Sequence, residues 1–368
     1  MKRRLIIFSG FNQRAVIAML RTVSKLKVPI AIVAAGYTDT IFETIYAKDV
    51  CVIRKSLELK IDLFIPIFEK LKQVFENEEL IIAPSTETLI RLFLQNRSVL
   101  KEYSIVLPVV EEELYLRISD KFYFNKLCQK NDIDVPLQYD QIELCPDKFV
   151  AKPRTYYSKR SHKFQSPLLI RTIEEKTKFM QERCVEDFYF EDLIEGESYY
   201  LLYYITKNHK ISKLSQKNLL QQSEGKSIIL AELATIHKEE ISRSFENLLL
   251  AQEFRGLIMI EVRKKNEIYY MIEANPRMWG PSQLFVDAGF NLFEVFLYDW
   301  QLIDVLPKLE IINDRTKYCW SGGLKSDLIS KKEMSILDSK SVSINEWMTF
   351  LENDIYCRDD TIKIFEKE

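Results

Sequence analysis

Residues 257–277 read LIMIEVRKKNEIYYMIEANPR, and this stretch decides the fold. Two apolar runs, 257–263 and 268–273, flank a short polar segment, which is typical of two antiparallel strands joined by a hairpin turn. In such a hairpin Glu261 would lie beside Glu273. A glutamate that closes an otherwise apolar strand is costly to desolvate unless a cation meets it. The pattern therefore predicts a cation at the end of this strand pair.

Asn275 extends this pair of acids into a candidate metal site. Alternation along an extended strand places Glu273 and Asn275 on one face. Two carboxylates and one amide oxygen are hard ligands suited to Mg²⁺, with nucleotide phosphates and waters as the remaining ligands. Arg277 returns to the same face and could hold a phosphate or carboxylate oxygen. The alternative is a solvated hairpin with ordinary surface acids, but the strict alternation of Glu273, Asn275 and Arg277 favours the metal site.

The composition of the chain excludes several classes of protein. Its 368 residues suffice for two or three packed lobes, and 47% hydrophobic with 29% charged residues is typical of a globular protein. A net charge of -2 gives no support to nucleic acid as the main partner. No apolar run reaches the roughly 18 to 20 residues of a membrane span. The six cysteines form no C-x-x-C pair, so we expect reduced thiols in a cytoplasmic protein.

The first 115 residues alternate apolar runs with amphipathic segments, which predicts a doubly wound parallel sheet. The predicted strands are 5–8, 30–34, 51–53 and 80–83, and the predicted helices are 13–25, 61–76 and 86–95. No G-x-G-x-x-G follows the first strand, so a dinucleotide site is not expected. The turn at 9–14 could bind an anion at a helix N-terminus, or it could be a structural turn.

A second region begins near residue 117 and leads into the hairpin. Its predicted helices are 122–131 and 241–254, and its predicted strands are 149–153, 188–193, 198–205 and 228–231. The last sixty residues include a helical stretch at 344–352 and are predicted to form a small terminal appendage.

Four segments resemble motifs of the ATP-grasp superfamily, in particular its carbamoyl-phosphate synthase and biotin carboxylase branch, and they follow one another along the chain in the order that the family has. The E-x-N-x-R segment at 273–277, with Glu261 a dozen residues upstream, resembles the family's metal-binding strands. Residues 119–121 (SDK) resemble its D-K motif, and residues 150–153 (VAKP) its V-x-K-P strand. Residues 190–196 (FEDLIEG) resemble the hinge that recognises adenine.

The resemblance implies a role for each matching residue. Nucleotide binding would involve Lys121 and Lys152 at the phosphates, Glu191, Asp192, Leu193 and Ile194 at adenine, and Glu197 at the ribose. The metal ligands for Mg²⁺, or Mn²⁺ in its place, would be Glu261, Glu273 and Asn275. Arg277 and Lys152 would be catalytic, and Lys217 and Lys226 are hypothetical substrate contacts.

The resemblance also implies a fold of the α/β and α+β classes, with a doubly wound N-terminal lobe followed by a two-lobed ATP-grasp domain. The expected domains are 1–115 for the N-terminal α/β domain, 116–190 for the small or lid subdomain, 191–305 for the large subdomain with the metal site, and 306–368 for the appendage.

The implied activity is that of a ligase that uses ATP to convert a carboxylate into an acyl phosphate. An amine or another nucleophile then displaces phosphate, and ADP is released. Substrates would be small-molecule or peptide carboxylates and amines, without a nucleic acid or membrane partner, and a homodimer is compatible with the resemblance.

One departure from the family's pattern leaves alternatives open. The family has a glycine-rich phosphate loop after the V-x-K-P strand, whereas residues 154–163 contain no glycine and offer Ser158, Lys159, Arg160 and Ser161 instead. A nucleotide-binding regulatory or scaffold protein without turnover is therefore an alternative. An α/β binding protein that does not use ATP is another, and a carbamoyl-phosphate synthase fragment is disfavoured because the chain holds a single such unit.

Overall fold

A five-stranded parallel sheet forms the N-terminal part of the molecule. The computed structural model describes residues 2–155, 157–158, 160, 163–337 and 344–368. The strand order is β3-β2-β1-β4-β5, and every pairing is parallel. The bounds are β1 (Lys2–Phe8), α1 (Gln13–Leu26), β2 (Ile30–Ala34), β3 (Val50–Ile53), α2 (Ile65–Val74), β4 (Glu78–Ile82), α3 (Glu87–Gln95), α4 (Arg97–Glu102) and β5 (Ile105–Val106).

Burial explains the continuous apolar run of β1. Leu5 and Ile7 pack into one core cluster and Ile6 and Phe8 into another, because helices cover both faces of the sheet. The cluster on the α1 side continues into the C-terminal half of the chain. The sheet is therefore anchored to the rest of the molecule through α1.

The second part is a small lobe built on a four-stranded antiparallel sheet of order β10-β7-β11-β6. Its core includes Phe149, Phe179 and Phe190, whose rings meet edge to face. Two helices precede this lobe, α5 (Glu112–Ser119) and α6 (Lys121–Gln129), and buried residues of both pack in one core cluster with Ile258, Ile260 and Met271 rather than with the small lobe. The elements of the lobe are β6 (Gln138–Tyr139), β7 (Phe149–Pro153), β8 (Tyr157–Ser158), β9 (Lys163–Phe164), β10 (Leu168–Ile170), α7 (Ile173–Glu182) and β11 (Phe188–Asp192), of which β8 and β9 form a separate two-stranded sheet.

The third part is a large antiparallel sheet of order β16-β15-β12-β13-β14-β17, with β18 paired to β13. Its long strands are β12 (Glu197–Ile205), β13 (Ile211–Gln221), β14 (Ile228–Ala234), β15 (Gly256–Lys265) and β16 (Ile268–Asn275). The other elements are α8 (Glu240–Ala251), α9 (Gln283–Asp287), α10 (Leu292–Asp299), β17 (Lys317–Cys319), α11 (Ser321–Ile329), β18 (Ser335–Ile336), α12 (Ile344–Glu352) and α13 (Ile362–Lys367).

The observed architecture confirms the predicted fold class, with a parallel lobe first and antiparallel sheets after it. The apolar pattern predicts no strand at 211–221, where the structure has the longest strand of the large sheet. Residues of the predicted appendage take part in this sheet, because β17 pairs with β14 and β18 with β13.

Two further observations concern the described residues. No helix in that part of the chain is long and apolar enough to cross a membrane. No disulfide joins the six cysteines, all of which lie within the described ranges.

Candidate nucleotide and metal site

The two glutamates of the hairpin face each other across a strand pair. β15 and β16 are antiparallel, and Glu261 is directly opposite Glu273 in their register. Two residues further along β16, the Asn275 side chain lies on the same face, and its Nδ2 donates to Glu273 Oε1 at 2.8 Å. Arg277 Nη2 in turn donates to Asn275 Oδ1 at 2.9 Å. The hairpin thus brings the three predicted metal ligands and Arg277 together.

Basic side chains compensate the charges of these two carboxylates. Lys121 Nζ forms an ion pair with Glu273 Oε2, and Arg263 Nε lies 3.6 Å from Glu261 Oε1. Ser198 Oγ also donates to Glu261 Oε1 at 3.2 Å. Because Glu261 is only 5% exposed, its charge depends on such partners.

The two carboxyl groups have opposite pKa shifts. Burial raises the pKa of Glu261, with the Arg263 charge opposing the rise and the Glu273 charge adding to it. Burial acts in the same direction on Glu273, but the Lys121 ammonium and the hydrogen bond from Asn275 lower the pKa of Glu273 to about 2. Two carboxylates this close favour an additional cation between them, since like charges destabilise each other's ionised form.

The donor set of the hairpin fits a hard divalent cation. Among the described residues, no group of three or more His, Cys, Asp and Glu side chains is placed to hold a metal ion. A cation at Glu261 and Glu273 would complete its coordination with phosphate and water. The Asn275 amide oxygen could join them only after the amide turns, because Nδ2 now faces Glu273 and Oδ1 accepts from Arg277. Oxygen-only coordination with several non-protein ligands is the usual arrangement for Mg²⁺.

Lys121 reaches the hairpin from the start of α6. The preceding residue, Asp120, occupies the N-cap position, but its carboxylate accepts from Arg91 at 3.0 Å instead of capping the helix. The Lys121 side chain is about one-fifth exposed. Its charge is therefore available both to Glu273 and to an anion in the adjoining cavity.

Lys152 and Glu191 form a buried ion pair on neighbouring strands of the small lobe. Their side chains are 5% and 2% exposed. Lys152 Nζ also donates to the Ile272 carbonyl at 2.9 Å, which joins β7 of the small lobe to β16 of the large sheet. Burial raises the pKa of Glu191, and the Lys152 charge opposes that rise. Within the described residues Glu191 Oε2 is buried without a hydrogen-bond partner, so it can accept from a ligand N–H.

Most of the residues predicted to bind the nucleotide line one cavity of about 530 Å³. Its lining includes Lys121, Lys152, Glu191, Asp192, Leu193, Ile194, Glu261 and Glu273. Gly196 ends the hinge beside it, where an added Cβ would lie 2.1 Å from the Lys264 carbonyl oxygen. Only glycine allows this close approach of the hinge to β15. The volume falls within the roughly 300 to 1,000 Å³ of small-molecule sites.

A second cavity of about 320 Å³ adjoins the first on the side of the N-terminal lobe. Glu273, Tyr200 and Lys226 line both cavities, whereas Asn275 and Arg277 line the second. The second lining also includes Asn12, Arg14 and Thr86 from the turns after β1 and β4, and Ser227, Ile228, Met259, Trp279, Gly280 and Pro281.

Glu197 and Lys217 are not brought to either cavity. Lys217 Nζ pairs with Glu197 Oε1 at 2.5 Å. Alternation along β12 places Glu197 on the sheet face opposite to Ser198, whose hydroxyl contacts Glu261. The geometry therefore does not support the predicted ribose contact of Glu197 or the substrate contact of Lys217. Lys226, by contrast, lies where the two cavities meet.

The glycine-free loop after β7 is described only in part. Lys159 and Ser161 lie outside the described residues. Ser158 Oγ donates to Asp187 Oδ2 at 2.5 Å, and Arg160 Nη1 lies 3.3 Å from Glu186 Oε2.

Arg263 and Tyr200 line the first cavity but were missed by the sequence analysis. The signal for Arg263 was its position two residues after Glu261, which puts both side chains on one face. Tyr200 had no local signal, because its place beside Glu261 depends on the pairing of β12 with β15.

No model of a known family and no curated protein sequence matches this chain. Solved structures do match its fold. Biotin carboxylase from Campylobacter jejuni, in a β,γ-ATP complex, has a TM-score of 0.62 at 14% identity, over 84% of this chain and 72% of that one.

N5-carboxyaminoimidazole synthetase from Staphylococcus aureus, complexed with ADP, has a TM-score of 0.59 at 12% identity, over 85% of this chain and 81% of that one. The biotin carboxylase domain of 2-oxoglutarate carboxylase from Hydrogenobacter thermophilus, with MgADP and bicarbonate, has a TM-score of 0.58 at 13% identity, over 82% of this chain and 69% of that one. These similar structures are ATP-grasp proteins. With the hairpin acids, the small lobe and the parallel N-terminal sheet arranged as described, the chain has the ATP-grasp fold.

Proposed function

We propose that this protein is an ATP- and Mg²⁺-dependent ligase that joins a carboxylate to an amine or another nucleophile and releases ADP and phosphate. The observation that supports it most is the register of β15 and β16, which sets Glu261 opposite Glu273 at the edge of a cavity reaching Lys121 and Lys152. Structural neighbours crystallised with ATP or ADP derivatives support the nucleotide part of the proposal.

The first cavity would hold the nucleotide. Glu191 Oε2, which is buried without a partner among the described residues, offers an acceptor for an amino group of the base, next to the apolar side chains of Leu193 and Ile194. Lys121 and Lys152 supply positive charge for the phosphates. Glu261, Glu273 and Asn275 would hold Mg²⁺, which, when bound, neutralises charge on phosphate oxygens.

The second cavity would hold the carboxylate and the nucleophile. Arg277 lies at its wall beside Asn275 and is positioned to stabilise negative charge on the substrate carboxylate. Lys226 would orient the group that passes between the cavities, because it lines both. Catalysis of this kind depends on positioning and charge neutralisation rather than on a general acid or base.

A second candidate function is nucleotide binding without turnover. Two observations favour it: the glycine-free segment at 154–163, and the ion pairs by which Lys121 and Arg263 compensate the two glutamates without a metal. Such a protein would bind ATP without releasing ADP on any carboxylate and amine.

The experiment is a measurement of ADP release with a panel of carboxylates and amines at controlled Mg²⁺ concentrations. We expect Mg²⁺-dependent release, and a loss of about 10²- to 10³-fold in kcat for Glu261→Gln and Glu273→Gln, because each removes charge that positions the phosphates. Glu267→Gln is the matched control, since its side chain is 89% exposed in the turn of the same hairpin. ATP binding without turnover across the panel would favour the second candidate, and turnover unaffected by Glu261→Gln would contradict the assigned site.

A further inference from the structure

Four tyrosines lie on β12, all within the described residues, and three of their hydroxyls have hydrogen-bond partners. The partners are Glu197 for Tyr199 at 2.9 Å, Ser242 Oγ for Tyr203 at 3.1 Å and Asp299 for Tyr204 at 2.9 Å. The hydroxyl of Tyr200 makes no hydrogen bond to any residue that the structure describes. Unlike the Tyr189 hydroxyl, which is fully buried without a partner among the described residues, the Tyr200 hydroxyl is not enclosed by protein and can take a partner from the cavities that Tyr200 lines.

Tyr200 stands at the junction of the two cavities. It is 6% exposed and lines both of them. In the register of the large sheet it is directly opposite Glu261, which is itself opposite Glu273. Tyr200, Glu261 and Glu273 therefore lie side by side on three adjacent strands. The Tyr200 ring packs in the core cluster that includes Met259.

The Tyr200 hydroxyl can act as a hydrogen-bond donor at this position. A tyrosine hydroxyl, with an ordinary pKa of about 10, is protonated at neutral pH and can donate to an oxygen acceptor. A phosphate oxygen at the boundary between nucleotide and substrate is such an acceptor.

We propose that Tyr200 is a further catalytic residue, whose hydroxyl donates a hydrogen bond to the phosphoryl group as it passes from the nucleotide cavity to the substrate cavity. The proposal rests on the proposed ligase function. The phosphoryl group would be transferred where the two cavities meet, between Tyr200, Glu273 and Lys226, which line both of them.

The step balances without any further reactant. A substrate carboxylate oxygen forms a bond to the γ-phosphorus of ATP, and the bond from that phosphorus to the β,γ-bridging oxygen breaks, so ADP leaves with the electron pair. An amine then bonds to the acyl carbon of the acyl phosphate, the carbon–oxygen bond breaks, and phosphate leaves as the amine loses a proton to water. Tyr200 keeps its own proton throughout and stabilises charge on the phosphoryl oxygens.

The test is Tyr200→Phe in the full-length protein. This change removes a hydroxyl that has no partner among the residues that the structure describes, so it orphans no other buried group there and should leave the melting temperature within about 2 °C of the wild type. We expect kcat for ADP release to fall about 10²-fold, as when one donor to a transition-state oxyanion is removed. The KM for ATP and the Kd for Mg·ATP should change by less than about twofold, since the contact is made chiefly in the transition state.

Tyr203→Phe is the matched control, because Tyr203 is on the same strand and packs in a different core cluster. It should keep the wild-type kcat. An unchanged kcat in Tyr200→Phe would overturn the role of Tyr200 while leaving the ligase function in place. A matching loss of Mg·ATP affinity would also overturn it, because Tyr200 would then be a binding residue. Absence of ADP release from the wild type with every substrate tested would overturn both proposals.

Discussion

At the scale of single residues, burial decides which charged and titratable groups carry chemistry. Glu261 and Glu191 are almost fully buried, and a basic side chain compensates the charge of each. Arg263 lies beside Glu261 at the candidate cation site, and Lys152 pairs with Glu191. The contact of Glu261 with Arg263 has a signal in the spacing of two residues, whereas the pairing of Glu191 with Lys152 depends on the register of β11 and β7. The same principle governs His237, a buried histidine outside the site.

His237 should make the stability of the protein depend on pH. It is 7% exposed and its Nδ1 lies 2.8 Å from Ser215 Oγ. Burial lowers the pKa of His237 to about 4, and the charges of Lys238 and Lys213 add to the effect. The unfolded chain, with a histidine pKa of about 6.5, therefore binds a proton that the folded chain rejects between pH 6.5 and 4.

The contribution of His237 to stability is complete above pH 6.5 and is lost progressively toward pH 4. Between pH 7.5 and 5 we expect the wild type to lose about 2 kcal/mol of unfolding free energy more than His237→Gln. Urea unfolding at pH 7.5, 6.0 and 5.0 measures this difference. His209→Gln is the control, because His209 is exposed and should leave the pH dependence as in the wild type. Parallel curves for wild type and His237→Gln would contradict the assignment.

At the scale of elements, the β15–β16 hairpin holds the site through its turn as well as its register. Asn266 and Glu267 form a two-residue connection, with φ angles of 51° and 64°. Positive φ at both positions is the geometry of a type I′ turn, which prefers glycine at the second position. A glutamate there is strained, since the left-handed region costs an L-residue about 1–2 kcal/mol.

Glu267→Gly should therefore stabilise the protein by about 0.5–1 kcal/mol, after the greater chain entropy of glycine offsets part of the relieved strain. The exposed ion pair between Lys264 and Glu267 would be lost, but such pairs contribute little. Denaturant unfolding checks the change in free energy. Glu267→Ala is the control: it removes the ion pair, keeps the Cβ and should not stabilise. Equal effects of the two substitutions would show that the turn is not strained.

The elements that the sequence predicted well are those with an undisturbed apolar pattern. The strands at β1, β2, β12 and β15 read as apolar runs and were found within a few residues of the observed bounds. β13 was missed because Ser215, Gln216 and Asn218 are polar yet buried in the middle of the strand. Their hydrogen bonds run to Ser198 Oγ for Asn218 Nδ2, to His237 Nδ1 for Ser215 and to Asn218 Oδ1 for Gln216 Nε2, and no local sequence pattern reveals the contacts to Ser198 and His237.

At the scale of the whole molecule, α1 connects the N-terminal lobe to the C-terminal segment through Arg21. Its guanidinium makes two hydrogen bonds of 2.8 Å to Asp360 and also donates to the Ile355 carbonyl, Thr361 Oγ1 and Gln283 Oε1. The two charged side chains are only 11% and 14% exposed. Burial acts to raise the pKa of Asp360, but Arg21 and the Tyr46 hydroxyl outweigh it and lower that pKa.

Arg21→Ala should lower the unfolding free energy by about 2–4 kcal/mol, because it leaves a largely buried carboxylate with one partner fewer. Arg21→Lys should recover less than half of this loss, since an ammonium cannot reproduce the planar two-pronged contact. Thermal and urea unfolding measure both variants. If lysine restored full stability, the geometry of the guanidinium would not be what joins the two segments.

The sequence by itself determined the order of the lobes, the strand pair that presents Glu261 and Glu273, and the positions of Lys121, Lys152, Asn275 and Arg277 along it. The shared face of Glu273, Asn275 and Arg277 follows from local periodicity, because alternation in a strand fixes which side chains lie together. The roles of Lys121 and Lys152 came instead from the resemblance of their segments to the ATP-grasp superfamily.

Contacts between distant strands required the tertiary structure. The pairing of β12 with β15 sets Tyr200 beside Glu261, and β17 and β18 join the large sheet through β14 and β13. Local patterns favour pairing between strands that are consecutive in sequence, such as the β12–β13 pair that brings Lys217 to Glu197, whereas the other pairings join distant strands.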